Sequence, residues 1–209
     1  MRRVFVDPGA PQSDAIAEAV TWIRNGGIVA LATDTLYGLA VDPFNRTAIA
    51  RLFAMKHRDA DRALPLIAAD VAQIAAHLGS LPPAAVRLAA HWPGPLTLAV
   101  PAPHALPREV TGGRSTVGVR VPAAAIARAV CAGCRTPITA TSANISGEQA
   151  TANPDDVERV LGGWIDFLLD TGPAPGGPPS TIVDVTTTPA SLIREGAIPW
   201  REIRTWLDT

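Results

Sequence analysis

Apolar positions recur at two spacings along the chain. Residues 13–25 place Ile16, Ala19, Val20 and Ile23 three and four apart, the period of a helix with one buried face. Asn25-Gly26-Gly27 stops it, since glycine enters the left-handed region without steric cost. Residues 28–32 then run Ile-Val-Ala-Leu-Ala without a polar position, the pattern of a strand covered on both faces. Helical spacing returns over residues 46–56 through Ile49, Leu52, Phe53 and Met55, and again over 71–78 and 83–92. The last of these opens with proline, which suits a first helical turn. Residues 123–132 form an alanine-rich helix candidate. Asn153-Pro154-Asp155-Asp156 reads as a helix start, with a capping amide, proline at the first position and two carboxylates at the positive end of the dipole. Residues 4–6, 96–100, 117–121, 138–141, 181–185 and 191–194 predict strands, and 64–68 is a further apolar run. The Pro/Gly-rich segment 172–179 reads as a loop, because too little chain follows it for a second domain. Irregular alternation of strands and helices predicts an α/β fold over residues 1–209 as one domain, built on a twisted mixed β-sheet with flanking helices.

Composition supports that reading. The chain has 209 residues, 47% hydrophobic and 18% charged, enough for a globular core. Its formal net charge is −1, so binding of phosphate or nucleic acid requires a local basic patch. The N-terminal apolar run, Val4-Phe5-Val6, is too short for a signal peptide, and no stretch approaches 18 apolar residues. A soluble, cytoplasmic protein with no membrane contact is expected. Seventeen arginines accompany a single lysine, Lys56.

Several chemistries are absent from the sequence. There is no P-loop, no Gly-x-Gly, no His-Glu-x-x-His and no Gly-x-Ser-x-Gly. His57, His77, His91 and His104 are scattered without ligand spacing. Cys131 and Cys134 form a lone Cys-x-x-Cys; zinc would want a second pair, and a thioredoxin-like site would want a helix N-terminus, whereas this pair is expected to follow a helix.

What remains is a set of polar segments at predicted strand and helix ends. Lys56-His57-Arg58-Asp59-Ala60-Asp61-Arg62 places three cations at a helix C-terminus. They read either as a solvated end that complements the dipole or as an anion site, where a lone ammonium among arginines would serve a single phosphate oxygen. Thr33-Asp34-Thr35-Leu36-Tyr37-Gly38 follows a buried strand, where open α/β sheets hold ligands. Thr141-Ser142-Ala143-Asn144-Ile145-Ser146-Gly147 offers neutral donors at a second strand end. Thr116, Gly118 and Arg120 share one strand face by period two. Pro179-Ser180-Thr181 and Arg194-Glu195-Gly196 repeat the theme near the C-terminus.

In this order the segments resemble the YrdC/TsaC family over about residues 13–194. Thr-Asp-Thr-x-Tyr-Gly from Thr33, Lys-x-Arg at Lys56, Pro93-Gly94-Pro95-Leu96-Thr97, Thr116 to Pro122, Ser142-Ala143-Asn144 with Ser146-Gly147, Ser180 to Asp184, and Ile193-Arg194 carry the resemblance. With only 15 residues after Arg194, the chain is similar to the short form of the family. The resemblance implies a concave substrate cleft and a nucleotidyltransferase that makes L-threonylcarbamoyladenylate and pyrophosphate from L-threonine, bicarbonate or carbon dioxide, and ATP. Magnesium is implied with the ATP. A threonylcarbamoyl transferase partner would pass the product to tRNA. By the same resemblance Lys56, Arg58, Ser142 and Asn144 are the catalytic candidates facing the phosphates, and Arg62, Thr116 and Arg194 join them in the nucleotide site. Thr35, Arg120, Ala140 and Ser180 hold threonine; a guanidinium such as Arg120 grips a carboxylate through two parallel bonds. Asp59 and Ala63 stand where family members usually carry proline, which leaves the loop 57–63 freer when unbound. Ile67 stands where some long-form members carry a threonine-contacting histidine. The alternative is an RNA-binding module of the same fold without synthase activity, contacting tRNA or double-stranded RNA through arginines 58, 62, 114 and 120. Against it stand the net charge and a single tyrosine.

Overall fold

A computed structural model describes residues 1–10, 12–59 and 61–208. Among these, eleven strands form two mixed sheets with eight helices around them. One sheet runs, in spatial order, β1 (Arg2–Phe5), β9 (Phe167–Asp170), β2 (Val29–Ala32), β3 (Tyr37–Ala40) and β8 (Thr141–Ser142). The other runs β11 (Ser191–Arg194), β10 (Thr181–Asp184), β5 (Leu96–Pro101), β6 (Thr116–Arg120), β4 (Leu66–Ile67) and β7 (Ile138–Thr139). The helices are α1 (Ser13–Arg24), α2 (Arg46–Lys56), α3 (Val71–Leu78), α4 (Pro83–Ala89), the short α5 (Arg108–Thr111), α6 (Ala125–Cys134), α7 (Pro154–Leu161) and α8 (Trp200–Asp208). None of them is long and apolar enough to cross a membrane.

The continuous apolar run of β2 has the double burial it predicts. Ala30 packs into one hydrophobic cluster, and Val29 and Leu31 pack into the other, beneath α1 and α6. Each large side chain buried in this way contributes about 1.5–3 kcal/mol. The neighbouring β9 is parallel to both β1 and β2 and divides its side chains similarly, with Leu168 on one side and Phe167 and Leu169 on the other. Its apolar run is only three residues between Asp166 and Asp170, too short to stand out as a strand in the sequence. Those carboxylates have fixed partners: Asp166 accepts from the Ile28 N–H at 2.7 Å, and Asp170 accepts from Arg3 at 2.7 Å.

Other differences are local. The helix expected over 83–92 ends at Ala89, with the Trp92 indole N–H donating to the Leu96 carbonyl. The helix expected over 123–132 lies at Ala125–Cys134, so Cys131 and Cys134 sit inside its last turns and not after it. Both thiols are free and buried, and burial pushes them up, Cys134 to about 11. Asn153 caps α7 as expected, accepting from the Asp155 N–H at 3.0 Å.

The sheets meet where the chain steps from β7 to β8 through Ala140. Thr139 stitches the step: its N–H donates to the Val41 carbonyl at 3.1 Å, and its hydroxyl accepts from the Val41 N–H at 3.0 Å. A concave surface opens in front of this junction.

Candidate functional site

The concavity has a volume of about 610 Å³. Its floor is the face of β6 that carries Thr116, Gly118 and Arg120, the period-two set read from the sequence. Small residues, Gly38, Ala99, Gly118 and Ala140, keep the floor open. Ser180 and Arg194 close one end, the loop with Arg58 and Arg62 another, and Thr33 and Thr35 stand at the junction with β3. Of the eleven candidate residues, Thr35, Arg58, Arg62, Thr116, Arg120, Ala140, Ser142, Ser180 and Arg194 line this one cleft.

Lys56 and Asn144 do not line it. The ammonium ends α2 and is 1% exposed, buried behind the Ser142–Asn144 turn. Its Nζ donates to the carbonyls of Ser142 and Asn144, each at 2.6 Å, and to Asn144 Oδ1 at 3.3 Å. An ammonium has three donors, so all are engaged. Burial, reinforced by Arg58, lowers the Lys56 pKa to about 8. Asn144, 8% exposed, extends the network by accepting from the Ser142 hydroxyl at 2.5 Å and donating to the Glu148 carbonyl at 2.6 Å. Ser142 remains exposed at the cleft wall. The turn is therefore shaped from behind by a charge and presented to the cleft by a hydroxyl.

Arg58, two residues beyond Lys56, works on its own loop. Nε donates to the Arg62 carbonyl at 3.1 Å and Nη2 to the Ala63 carbonyl at 2.8 Å. A guanidinium fork bridges the loop that carries Asp59 and Ala63. Ala60, within the same loop, lies outside the described residues. Burial and Arg62 lower the Arg58 pKa. At the far end Arg194 donates to the Ser180 carbonyl at 2.8 Å, and the Ser180 and Thr97 hydroxyls are 2.8 Å apart. Thr97 is 2% exposed and has no other side-chain role in the cleft.

The electrostatic character is one-sided. Arg58, Arg62, Arg114, Arg120 and Arg194 line the cleft, and among the described residues no aspartate or glutamate does. In a chain of net charge −1, this concentrates positive potential where low-dielectric walls focus it. Such a site neutralises a polyanion, and its hydroxyls can orient uncharged groups. Among the described residues no group of three histidine, cysteine, aspartate or glutamate side chains is placed to hold a metal ion.

Asp34 belongs to the Thr33–Gly38 segment, in which the resemblance gives a role to Thr35 alone. Its carboxylate accepts from Arg120 Nη1 at 3.0 Å and from the Ala124 N–H at 2.9 Å. Its position between Thr33 and Thr35 was the only signal available.

A family model described as "Telomere recombination" (Sua5_yciO_yrdC) matches residues 21–196. A threonylcarbamoyl-AMP synthase of Pyrococcus abyssi is 39% identical over 186 residues, covering 88% of this chain and 55% of that protein. A threonylcarbamoyl-AMP synthase of Halorhodospira halophila is 41% identical over 155 residues, covering 74% of this chain and 81% of that protein. Among solved structures, P. abyssi Sua5 complexed with L-threonine superposes with a TM-score of 0.93 at 36% identity, covering 99% of this chain and 61% of that one. The chain thus spans little more than half of the archaeal relatives and most of the bacterial one.

Proposed function

The chain belongs to the Sua5/YciO/YrdC family, and from that premise we propose that it is a threonylcarbamoyl-AMP synthase. It converts L-threonine, bicarbonate or carbon dioxide, and ATP into L-threonylcarbamoyladenylate and pyrophosphate. The threonine amine first forms a carbamate, adding to carbon dioxide with loss of a proton or condensing with bicarbonate with loss of water. A carbamate oxygen then attacks the α-phosphorus of ATP, and pyrophosphate leaves with the electron pair of the broken P–O bond.

Two anions must meet in that step, so charge neutralisation and positioning carry the catalysis. The single observation that supports this best is the cleft lining of five arginines with no carboxylate among the described residues. Arg58 and Arg62, with the Ser142 hydroxyl, face the phosphates; Thr116 and Arg194 complete the nucleotide end. Arg120 takes the threonine carboxylate, with Thr35, Ala140 and Ser180 around the rest of the amino acid. Lys56 and Asn144 act on the phosphates through the turn they shape. Magnesium arrives with ATP, held by phosphates and water, which suits a hard ion that dehydrates reluctantly. The product is a reactive mixed anhydride, and a partner transferase consumes it for tRNA modification in the cytoplasm.

The test is pyrophosphate release from ATP. It should require both L-threonine and bicarbonate and fall at least a hundredfold in Arg58→Ala. No threonine-dependent release, together with RNA binding of steep salt dependence, would overturn the reading in favour of an RNA-binding module.

A further inference from the structure

We propose that Asp34 is a positioning residue: its carboxylate fixes the Arg120 guanidinium so that the free edge is presented to the carboxylate of the substrate. The proposal rests on the synthase reading and names a residue that reading does not use.

The geometry is that of a bracket. Asp34 and Arg120 are 7% and 10% exposed at their side chains, and their ion pair measures 3.0 Å. One carboxylate oxygen takes Arg120 Nη1; the other takes the Ala124 N–H ahead of α6. Asp34 therefore cannot turn toward the cleft without abandoning a half-buried N–H, and it does not line the cleft, whereas Arg120 does. Arg120 is also fixed at its own backbone, where its carbonyl accepts from the Ala68 N–H at 3.0 Å.

Among the described residues Arg120 donates through Nη1 alone. A guanidinium has five N–H donors in a rigid fork, so an edge is left for a ligand. That edge suits a carboxylate, which it would grip through parallel bonds. Without Asp34 the fork would be a buried charge with no counter-ion. Burial lowers the Arg120 pKa, Asp34 works against that, and Arg194 adds repulsion. A buried cation left without its partner is strongly disfavoured, and here the cheapest relief is for the guanidinium to swing toward solvent. Asp34 keeps it in place before substrate arrives. A role as proton acceptor for the substrate amine does not fit, because both carboxylate oxygens are engaged behind the cleft wall.

The test compares wild type with Asp34→Asn, which keeps the shape but turns a donor toward Arg120. Threonine KM should rise at least tenfold, while kcat at saturating threonine and the KM for ATP change less than threefold. L-Threonine amide, which keeps the amine, hydroxyl and methyl but lacks the carboxylate, serves as a competitive inhibitor. Its inhibition constant should change less than twofold, a selectivity that general loosening of the fold would not give. A threonine KM within twofold of wild type, or equal weakening of threonine and its amide, overturns the proposal. If the variant does not melt cooperatively, a crystal structure of the wild-type protein with L-threonine decides. Arg120 should keep Asp34 on Nη1 and hold the substrate carboxylate with its other edge; an Arg120 that has left Asp34 overturns the proposal. A wild-type protein without threonine-dependent pyrophosphate release removes the synthase reading and this proposal together, whereas an active wild type with an indifferent Asp34→Asn removes only this one.

Discussion

Lys56 holds Asn144 twice, through the backbone carbonyl at 2.6 Å and the side-chain oxygen at 3.3 Å, and holds the Ser142 carbonyl as well. Those oxygens converge on one tetrahedral ammonium, which a planar guanidinium does not reproduce. Removing it leaves the buried Asn144 carbonyl without a donor, at about 1–3 kcal/mol, whereas the Ser142 carbonyl keeps the Asn144 N–H and Asn144 Oδ1 keeps the Ser142 hydroxyl. Lys56→Met, close in volume, should therefore lower the free energy of unfolding in urea by about 1–3 kcal/mol. It should also raise the KM for ATP at least tenfold, because the Ser142 turn loses its support. Lys56→Arg keeps the charge and should fail similarly in both measurements. A wild-type KM in Lys56→Arg would mean that charge alone is needed and that the cage is incidental.

The same burial gives a pH signature of two opposite signs. Lys56 is lowered from the ordinary 10.5 to about 8, first by burial and then by Arg58. Below about 8 the folded and unfolded chains both carry the proton, and the cost of the buried charge is present in full. Between 8 and 10.5 the unfolded chain binds more protons, so this group's contribution to stability rises with pH. Urea unfolding should show wild type gaining about 1–2 kcal/mol on Lys56→Met between pH 7.5 and 9.5. Over that range the neutral amine offers two N–H donors to three acceptors, so the turn loosens. The KM for ATP should climb above pH 8 in wild type and show no such inflection in Lys56→Met.

Arg58 separates charge from geometry in the loop that follows α2. Its fork spans the carbonyls of Arg62 and Ala63, which a lysine reaches only one at a time. Arg58→Lys should raise the KM for ATP about tenfold, roughly 1.4 kcal/mol of lost binding, with the threonine KM within threefold. Steady-state kinetics with each substrate varied in turn reads both. Equal effects on the two substrates would indicate a collapse of the whole cleft.

The elements that announce themselves in the sequence are those whose periodicity is undisturbed. The run 28–32, the spacing of α2 and the cap at Asn153 correspond to β2, a half-buried helix and α7. β9 stays hidden because two aspartates flank three apolar residues, and its identity comes from neighbours more than 130 positions away in the chain, as in the 138-residue separation of Ile28 and Asp166. α8 is masked by its composition: only Ile203 is fully buried, and the rest of its contact comes from half-buried Trp200, Trp206 and Leu207. The site is legible as a set of residue types at strand ends, but depth is not. Nothing in spacing tells that the one ammonium faces inward while Arg58 faces the cleft. Nor does it tell that Arg120 is paired with a carboxylate 86 positions earlier.

Gly196 tests whether the Ser180 end of the cleft, proposed to hold threonine, depends on backbone placement. A Cβ there would lie 2.1 Å from the Pro179 carbonyl oxygen and 2.7 Å from the Ser180 carbonyl oxygen. Neither atom is a flexible side chain, so the segment 179–180 must move. Ser180 would then drift from the Thr97 hydroxyl at 2.8 Å and from the Arg194 guanidinium that donates to its carbonyl. Overpacking of this kind costs about 1–3 kcal/mol. Gly196→Ala should lower the melting temperature and raise the threonine KM at least tenfold, with a smaller effect on ATP. Gly163, where a Cβ meets nothing within 4 Å, provides the comparison. Gly163→Ala should match wild type in both assays. If Gly196→Ala melts early yet binds threonine normally, the position of Ser180 is not what holds the amino acid, and Arg120 with Thr35 must suffice.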